Sequence, residues 1–349
     1  MVPALAVADA LRAEGARVTF IGGERAETEL VPAAGYPLLS LRVEGLSRRN
    51  PLRALRALAL AASATVRART ELARLAPGAV MGGGGYVAGP VGVAALSLRI
   101  PLVLTEADSH LGLTNRVLAR GARRVCLAFS LPGRDGGRYR VTGRPVPAAA
   151  HDRVAARERF GIAPDATCVL VFGGSLGARS INLAAIDAFA DAPFHVLHVS
   201  GRRDYAELSA RTQTQSGRAT GYDLREYLDL HEFADALAAA DLAVARAGGS
   251  VFEIAAHGLP SILVPYPYAS ADHQSANARW LADAGAAVVI ADAELSAERL
   301  RQQVESLLGD RERLAAMAAA ASGLARVDAA REVAGELLAA AEHPVGHAR

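Results

Sequence analysis

The sequence predicts an α/β protein of two doubly wound domains, each a parallel sheet covered on both faces by helices. Three observations support this prediction. The 349 residues are enough for two domains of ordinary size. Hydrophobic residues make up 51% of the chain and charged residues 21%, a balance typical of a globular protein with a large core. Strands and helices alternate, and the strands are continuous apolar runs, as expected for parallel strands buried on both faces.

The first half of the chain contains five such strands. The predicted strands are 17–22, 37–41, 79–82, 101–105 and 124–129. The predicted helices are 3–14, 24–34, 51–76, one from residue 89 onward, and 111–120. In the long helix, Leu52, Leu55 and Leu58 recur at helical spacing. The segment 131–163 is rich in Gly, Pro and charged residues, which indicates a junction. We therefore predict domains at 1–143 and 144–349.

The second half repeats the alternation. The predicted strands are 167–172, 195–200, 241–246, 261–266 and 286–290. The predicted helices follow Gly177 and cover 234–240, 251–257, 273–284, 297–308 and 311–324, with a last one after Val327. We expect this last helix to pack back on the first domain.

Several classes of protein are disfavoured. A net charge of +2 argues against an overall nucleic-acid-binding surface, so we expect no nucleic-acid partner. Cys126 and Cys168 lie in apolar runs and are predicted to be buried thiols rather than disulfide or metal ligands. No metal-binding spacing, long apolar span or signal peptide is present, so a cytoplasmic protein without metal or cofactor is expected.

The chain begins directly in a helix, although a doubly wound domain normally begins with a strand and a glycine-rich turn. We therefore expect the first domain to lack its first strand and the loop that follows it. On this interpretation the sequence is a shortened form, through a mis-assigned start or a truncation.

A first glycine turn, FGGSLGAR, occupies Phe172–Arg179 between a strand and a helix. Glycines allow a tight turn and let backbone N–H groups approach a phosphate, and a helix N-terminus favours an anion. Ser175 adds a hydroxyl donor. We interpret this segment as a phosphate or nucleotide contact; the alternative is a plain structural turn.

A second turn follows the strand that ends at Arg246. It consists of Ala247, Gly248, Gly249 and Ser250. Ligands of doubly wound folds bind at such strand ends. Glu253, one helical turn later, is suited to accept hydrogen bonds from a ribose diol; the alternative is a carboxylate that complements the helix dipole.

Two further clusters carry polar groups. In ADHQSANA, Gln274 and Asn277 share a helix face beside His273, and amides suit sugar hydroxyls; the alternative is a cap by Asp272 followed by surface residues. In TEADSHLGLTN, the carboxylates of Glu106 and Asp108 follow a strand, and either is a candidate general base. The alternative is that both order the loop.

These motifs resemble a known family. GGGGYVAGP, TGRP, GGSLGAR, RAGGSVFEIAAHGLPSILVPYP and DHQSANA occur in the order seen in the family 28 glycosyltransferases that act in peptidoglycan synthesis. The resemblance implies the GT-B fold, with two Rossmann-like domains and the active site in the cleft between them. It implies inverting transfer of N-acetylglucosamine from UDP-GlcNAc, the donor substrate, to the 4-hydroxyl of undecaprenyl-diphosphoryl-MurNAc-pentapeptide. It also implies a peripheral protein on the cytoplasmic membrane surface.

The resemblance also assigns roles to residues. It implies donor contacts at Ser175, Leu228, Ala247, Gly248, Gly249, Ser250, Glu253, His273, Gln274 and Asn277, with Leu228 near the uracil. It implies acceptor contacts at Gly83, Gly84, Gly85, Tyr86 and Asn115. Arg144 and Pro147 stand where the family motif G-N-P-V-R has Asn and Arg, and Asp108 stands where many members have Asn. Members begin with a strand and a G-G-T-G-G-H loop ahead of the position of Met1. Without that loop, we expect donor binding to survive while transfer fails.

Two questions stay open at this stage. Arg48, Arg49, Arg53 and Arg56, with the apolar face of the long helix, are suited to dock on anionic lipid, or they form a solvated helix face. The rival functions are another lipid-acceptor glycosyltransferase of the same family and a non-catalytic UDP-sugar-binding protein. A UDP-sugar epimerase fits the motifs less well, and an oxidoreductase lacks the required G-x-G-x-x-G with its acid.

Overall fold

A computed structural model describes residues 1–45, 50–108, 110–174, 176–214, 221–269 and 272–342, with the backbone alone at Pro51, Arg53, Gln213 and Thr214. The described chain forms two units. Unit 1 comprises Met1–Val146 together with the chain from Asp328, and unit 2 comprises Pro147–Val327. The division lies just after the predicted boundary at 143/144, so that Arg144 falls in unit 1.

The elements follow one another as strands and helices. The strands are β1 (Phe20–Gly22), β2 (Leu38–Ser40), β3 (Val80–Gly82), β4 (Leu102–Glu106), β5 (Arg124–Leu127), β6 (Tyr139–Val141), β7 (Cys168–Phe172), β8 (His195–Val199), β9 (Tyr222–Arg225), β10 (Leu242–Ala245), β11 (Ser261–Leu263) and β12 (Ala287–Val289). The helices are α1 (Val2–Ala13), α2 (Glu27–Ala33), α3 (Pro51–Leu75), α4 (Gly85–Ser97), α5 (Leu113–Leu118), α6 (Arg153–Arg159), α7 (Arg179–Ala188), α8 (Tyr205–Thr214), α9 (Leu230–Ala239), α10 (Val251–Ala256), α11 (His273–Asp283), α12 (Ala297–Leu308), α13 (Arg311–Leu324) and α14 (Ala329–Glu342).

Unit 2 is built on one parallel sheet in the order β12-β11-β10-β7-β8-β9. Its central strands are fully buried, because β7 and β10 consist almost entirely of apolar residues covered on both faces. The order of the strands reverses between β7 and β10, which are neighbours with Phe172 opposite Ala245. Doubly wound sheets bind ligands beside the carboxyl ends of strands at such a reversal.

Unit 1 divides its parallel strands between two sheets. β1 pairs with β2, and β3-β4-β5-β6 form the second sheet; among the described residues no strand ladder joins them. Residues of β1 and β3 line one cavity of about 670 Å³, together with α1 and with Met1, which caps that helix. Burial lowers the pKa of the Met1 ammonium group, and the nearby charge of Arg144 lowers it further.

The last helix, α14, belongs to unit 1 and packs on α1 and β4. Its Glu336 accepts hydrogen bonds from Arg124 Nε at 2.6 Å and from Arg140 Nη1 at 2.7 Å. Burial raises the pKa of Glu336, but the hydrogen bonds and charges of the two arginines outweigh it, so the pKa lies below its ordinary value.

Both cysteines are buried and free, as predicted, and burial raises the pKa of each thiol to about 12. Some predicted bounds are wrong. Helix α4 begins at Gly85 rather than residue 89, because the positive φ angles of Gly84 and Gly85 complete the turn from β3 within two residues. The predicted junction, 131–163, contains β6 and α6. The polar segment 205–225, for which the sequence predicts no element, contains α8 and β9.

Candidate active site

The first glycine turn of unit 2 lies between β7 and α7. Gly174 and Gly177 have φ angles of +91° and +79°, a region that favours glycine. A side chain at Gly177 would collide with the carbonyl oxygen of Ser200, at the end of β8. Asn182 Nδ2 donates to the same oxygen at 2.9 Å, so the turn is packed against β8. Ser175 lies outside the described residues.

The second turn, Ala247–Ser250, starts where β10 ends and leads into α10. Because Ala245 on β10 lies opposite Phe172 on β7, the two glycine turns emerge side by side from neighbouring strands. A Cβ added to Gly248 would project into open space, so the backbone is bare on that side. Among the described residues, the N–H groups of Gly248, Gly249 and Ser250 donate to no protein acceptor. This arrangement suits an anion.

Arg246, the residue before that turn, ties several elements together. It is 9% exposed, and its guanidinium donates to Asp292 at 2.6 Å, to Ser180 at 2.7 Å and to the carbonyl of Val264 at 3.0 Å. Ser180 lies in the first turn of α7, so this group connects the helix after the first glycine turn with the strand before the second.

Helix α11 carries the predicted sugar contacts. Asp272, ahead of the helix, has a φ angle of +53° and accepts a hydrogen bond from Ser275 Oγ, but it caps no backbone N–H. Gln274 Oε1 accepts the N–H of Tyr266 at 2.9 Å. Asn277 is 3% exposed, and its Nδ2 donates to the carbonyls of Ala247 and Gly248. His273 is half-buried in the first turn of this helix.

The other predicted nucleotide residues are more scattered. Glu253 is half-buried one turn into α10, on the helix that follows the second glycine turn. The Leu228 side chain is 6% exposed, directly ahead of the Asp229 cap of α9. Arg144 is half-buried in unit 1 and close enough to Met1 to affect its ammonium group.

The glycine turn of unit 1 follows β3. Gly84 and Gly85 have φ angles of +79° and +76°, and Gly83 precedes them. Because glycines have no side chains, none covers the free N–H groups at the start of α4 on this turn. Thr114 Oγ1 donates to the carbonyl of Gly85 at 3.3 Å, linking the turn to α5. The ring of Tyr86 is 57% exposed beside it.

The loop after β4 is organised by Glu106, which is 8% exposed. Its carboxylate accepts the N–H of Gly112 at 2.9 Å, Asn115 Nδ2 at 2.9 Å and the N–H of Asp108 at 3.3 Å. A carboxylate so engaged orders the loop, whereas the side chain of Asp108 is half-buried on that loop. Asn115 is 1% exposed, and its Oδ1 has no hydrogen-bond donor among the described residues.

Comparison with known proteins identifies the family. The glycosyltransferase family 28 N-terminal domain matches residues 1–127 and the corresponding C-terminal domain matches residues 168–333. A UDP-N-acetylglucosamine–N-acetylmuramyl-(pentapeptide) pyrophosphoryl-undecaprenol N-acetylglucosamine transferase of Moorella thermoacetica is 41% identical over 345 residues, covering 93% of this chain and 91% of the relative. The chain belongs to glycosyltransferase family 28.

Other family 28 relatives agree. The transferase of the same name from Alkalilimnicola ehrlichii is 44% identical over 341 residues, covering 95% of this chain and 93% of the relative. The crystal structure of Acinetobacter baumannii MurG superposes with a TM-score of 0.73 at 30% identity, covering 97% of this chain and 95% of that chain. A UDP-GlcNAc 2-epimerase from Neisseria meningitidis (TM-score 0.68, 12% identity, covering 97% of this chain and 96% of that one) shares the fold alone. The predicted GT-B architecture is therefore confirmed.

The sequence analysis does not single out two residues that pack against the glycine turns of unit 2. Arg246 stands there only as the end of a strand, and Asn182 lies in the helix predicted after Gly177. The signal available for Arg246 was its position next to a glycine turn, because a buried arginine there requires several acceptors. No group of three or more His, Cys, Asp or Glu side chains in the described chain is placed to hold a metal ion.

Proposed function

We propose that this chain transfers N-acetylglucosamine from UDP-GlcNAc to the 4-hydroxyl of undecaprenyl-diphosphoryl-MurNAc-pentapeptide. The observation that carries the proposal is the pair of glycine turns, 173–177 and 247–250, that emerge side by side at the strand reversal of unit 2. Bare backbone donors at that position suit a nucleoside diphosphate. The relatives named for this reaction, at 41–44% identity over nearly the whole chain, supply the sugar and the acceptor.

The donor is assigned to unit 2. We place the diphosphate on the two turns, the ribose on Glu253 and the uracil beside Leu228. Gln274 and His273, at the start of α11, are assigned to the sugar. The Gln274 oxygen accepts the N–H of Tyr266. An amide both donates and accepts, so the NH2 group of Gln274 is suited to donate to a sugar hydroxyl.

The reaction is a single displacement with inversion. The acceptor 4-hydroxyl forms a bond to the anomeric carbon while the bond from that carbon to the UDP oxygen breaks. The hydroxyl proton goes to a base, for which Asp108 is the candidate, since Glu106 is committed to ordering the loop. Negative charge grows on the leaving diphosphate, and the N–H groups of the 247–250 turn stabilise that charge.

The acceptor is assigned to unit 1. Gly83, Gly84 and Gly85 open α4, which has thirteen residues and therefore a full helix dipole facing the acceptor diphosphate. Asn115 is buried behind this turn, where its Nδ2 donates to the carbonyl of Thr105 and to Glu106, so we assign it to holding the loop beside the acceptor. Tyr86 lies exposed beside this turn.

We further propose that unit 1 docks on the cytoplasmic membrane surface through α3. Leu52, Leu55 and Leu58 lie on one side of this helix and are 77%, 66% and 55% exposed, which is costly in water and favourable in lipid. Arg56 lies among them and pairs with Glu44 at 2.9 Å. Arg48 and Arg49 lie outside the described residues, as does the side chain of Arg53. None of the described helices is long and apolar enough to cross a membrane.

The test is transfer of labelled N-acetylglucosamine to the lipid-linked acceptor, by this chain and by a version extended ahead of Met1 with a strand and glycine loop. Transfer by either form supports the proposal. UDP-GlcNAc binding by both forms without transfer to this acceptor would overturn the acceptor assignment. It would favour a different lipid acceptor or a binding protein.

The base is tested separately. Many family members have Asn at this position, so a role of Asp108 as base is specific to chains that carry Asp there. If Asp108 removes the proton in this chain, Asp108→Asn lowers kcat by about 100-fold or more while UDP affinity is unchanged. Glu106→Gln serves as the comparison, since it disturbs the loop through its hydrogen bonds. Full activity of Asp108→Asn would remove Asp108 from the mechanism.

A further inference from the structure

Asn277 lies behind the second glycine turn rather than beside its open face. Its Nδ2 is 3.0 Å from the carbonyl oxygen of Ala247 and 3.4 Å from that of Gly248. The side chain is 3% exposed and Ala247 is fully buried, so this contact lies in the interior of unit 2. The two carbonyl oxygens require a donor, which fixes the orientation of the amide.

The position of these carbonyls determines where the neighbouring N–H groups point. In a planar trans peptide, the carbonyl and the N–H of the next residue point in opposite directions. When Asn277 holds the carbonyl of Ala247 inward, the N–H of Gly248 is directed outward. The carbonyl of Gly248, which precedes the N–H of Gly249, is held in the same way by Asn277 and also accepts the N–H of Val251 at 3.3 Å. A Cβ added to Gly248 would meet no atom within 4 Å, so the turn leaves room for a ligand beside this residue.

We propose that Asn277 is a positioning residue for the diphosphate: it orients the two peptide planes whose N–H groups bind the nucleotide phosphates. The inference rests on the proposed function and refines it. The resemblance implied a sugar contact for this residue, but the amide nitrogen is already occupied by the two carbonyls. We therefore assign the sugar contact to Gln274, one turn earlier on α11.

The ligand series uridine, UDP and UDP-GlcNAc separates these roles. The ratio of the uridine Kd to the UDP Kd measures what the diphosphate adds. The ratio of the UDP Kd to the UDP-GlcNAc Kd measures what the sugar adds. Asn277 Oδ1 is buried and accepts no hydrogen bond from the described residues, so no sugar contact is assigned to this side chain. The positioning role is therefore judged on the first ratio alone.

The experiment compares Asn277→Leu, which keeps the shape and removes the donor, with Gln274→Leu on the same helix. All Kd values are measured by calorimetry on the intact chain. We expect Asn277→Leu to weaken UDP binding by about 10- to 100-fold, as for lost hydrogen bonds to a charged ligand, and uridine binding by less than about twofold. Gln274→Leu is expected to reduce only the sugar ratio.

Each ratio compares ligands on one preparation, so a fraction of unfolded variant affects both Kd values equally and cancels. Asn277→Ala repeats the measurement with less strain on packing. Equal weakening of uridine and UDP binding, which leaves the ratio of their Kd values unchanged, would overturn the positioning role. Failure of the unaltered chain to bind UDP would instead overturn the proposed function, and the inference with it.

Discussion

Unit 2 contains a continuous sheet of six parallel strands, whereas unit 1 divides its six strands between a pair and a group of four. Both glycine turns of unit 2 start on β7 and β10, which have a neighbour on each side. The glycine turn of unit 1 starts on β3, an edge strand whose open side lines the 670 Å³ cavity. The same βα alternation therefore places two turns on interior strands in one unit and a single turn on an edge strand in the other.

The largest effect is expected in unit 2, where backbone packing is tightest. Gly177→Ala forces a Cβ onto the carbonyl of Ser200 at a φ of +79°. We expect the free energy of unfolding to fall by about 3 kcal/mol or more, with loss of UDP binding, measured by urea denaturation and calorimetry. Gly174→Ala is the control, since φ is +91° but the space is open; it costs about 1 kcal/mol. Equal losses would contradict tight packing at Gly177.

In unit 1 the largest loss of stability is expected from substitution of Glu336 on α14. Glu336→Gln leaves Arg124 and Arg140 without their buried carboxylate. We expect the free energy of unfolding to fall by about 2 kcal/mol, less than for a fully buried pair, because both arginines are partly exposed. Glu332→Gln, whose partner Arg140 is 3.5 Å away, should cost less than about 0.5 kcal/mol.

The pKa of Glu336 lies below its ordinary value, so its contribution is present above the ordinary pKa and is lost as the pH falls through the folded-state pKa. The gap in Tm between the chain and Glu336→Gln should therefore close in acid. A gap independent of pH would argue against an ionised Glu336.

A smaller, pH-dependent effect is expected in unit 2 from His257. Its Nδ1 donates to the carbonyl of Glu253 and its Nε2 accepts the N–H of Ala150, so the ring is neutral. Burial lowers its pKa, and burial likewise lowers that of His195. Since the unfolded chain binds these protons at higher pH, stability falls as the pH drops below the ordinary histidine pKa of about 6.5.

The measurement is Tm between about pH 8 and about pH 5 for the chain and for His257→Gln. The variant should lose part of the pH dependence, while His195 and the Met1 ammonium group, whose pKa values are also lowered, keep their contributions. An unchanged slope would place the titrating group elsewhere.

The smallest effect concerns the cavity of unit 1. Ala4 on α1 lines the cavity, so Ala4→Leu adds apolar atoms in space that is already present. We expect a gain of about 1 kcal/mol in the free energy of unfolding, measured by urea denaturation. Ala13→Leu, at an exposed position of the same helix, should change it by less than about 0.5 kcal/mol. A loss of stability with Ala4→Leu would indicate that the cavity is too narrow to fill.

The sequence was sufficient wherever local chemistry decides the structure. Apolar runs located β7 and β10, and the glycines of 173–177 and 247–250 located both turns of unit 2. It was insufficient where polar residues form regular elements: β9 reads Tyr-Asp-Leu-Arg at a sheet edge, and α6 owes its place to Arg157, which is buried against four backbone carbonyls.

Roles that depend on direction were also beyond the sequence. The spacing of Gln274 and Asn277 placed both amides on one helix face, but it did not reveal that Asn277 turns toward backbone carbonyls. Likewise, the pattern around Glu106 presented two carboxylates as equals. Only the hydrogen bonds from Gly112 and Asn115 separate an organising carboxylate from the one beside it.

The membership of α14 in unit 1 affects how this protein can be dissected. Unit 2 is a single uninterrupted stretch, Pro147–Val327, so one gene fragment encodes all of it. Unit 1 is assembled from both ends of the chain, so a fragment that stops before Asp328 lacks one of its helices. Deletions at the carboxyl terminus therefore act on the amino-terminal half, and a fusion tag placed there sits on the unit assigned to the lipid acceptor.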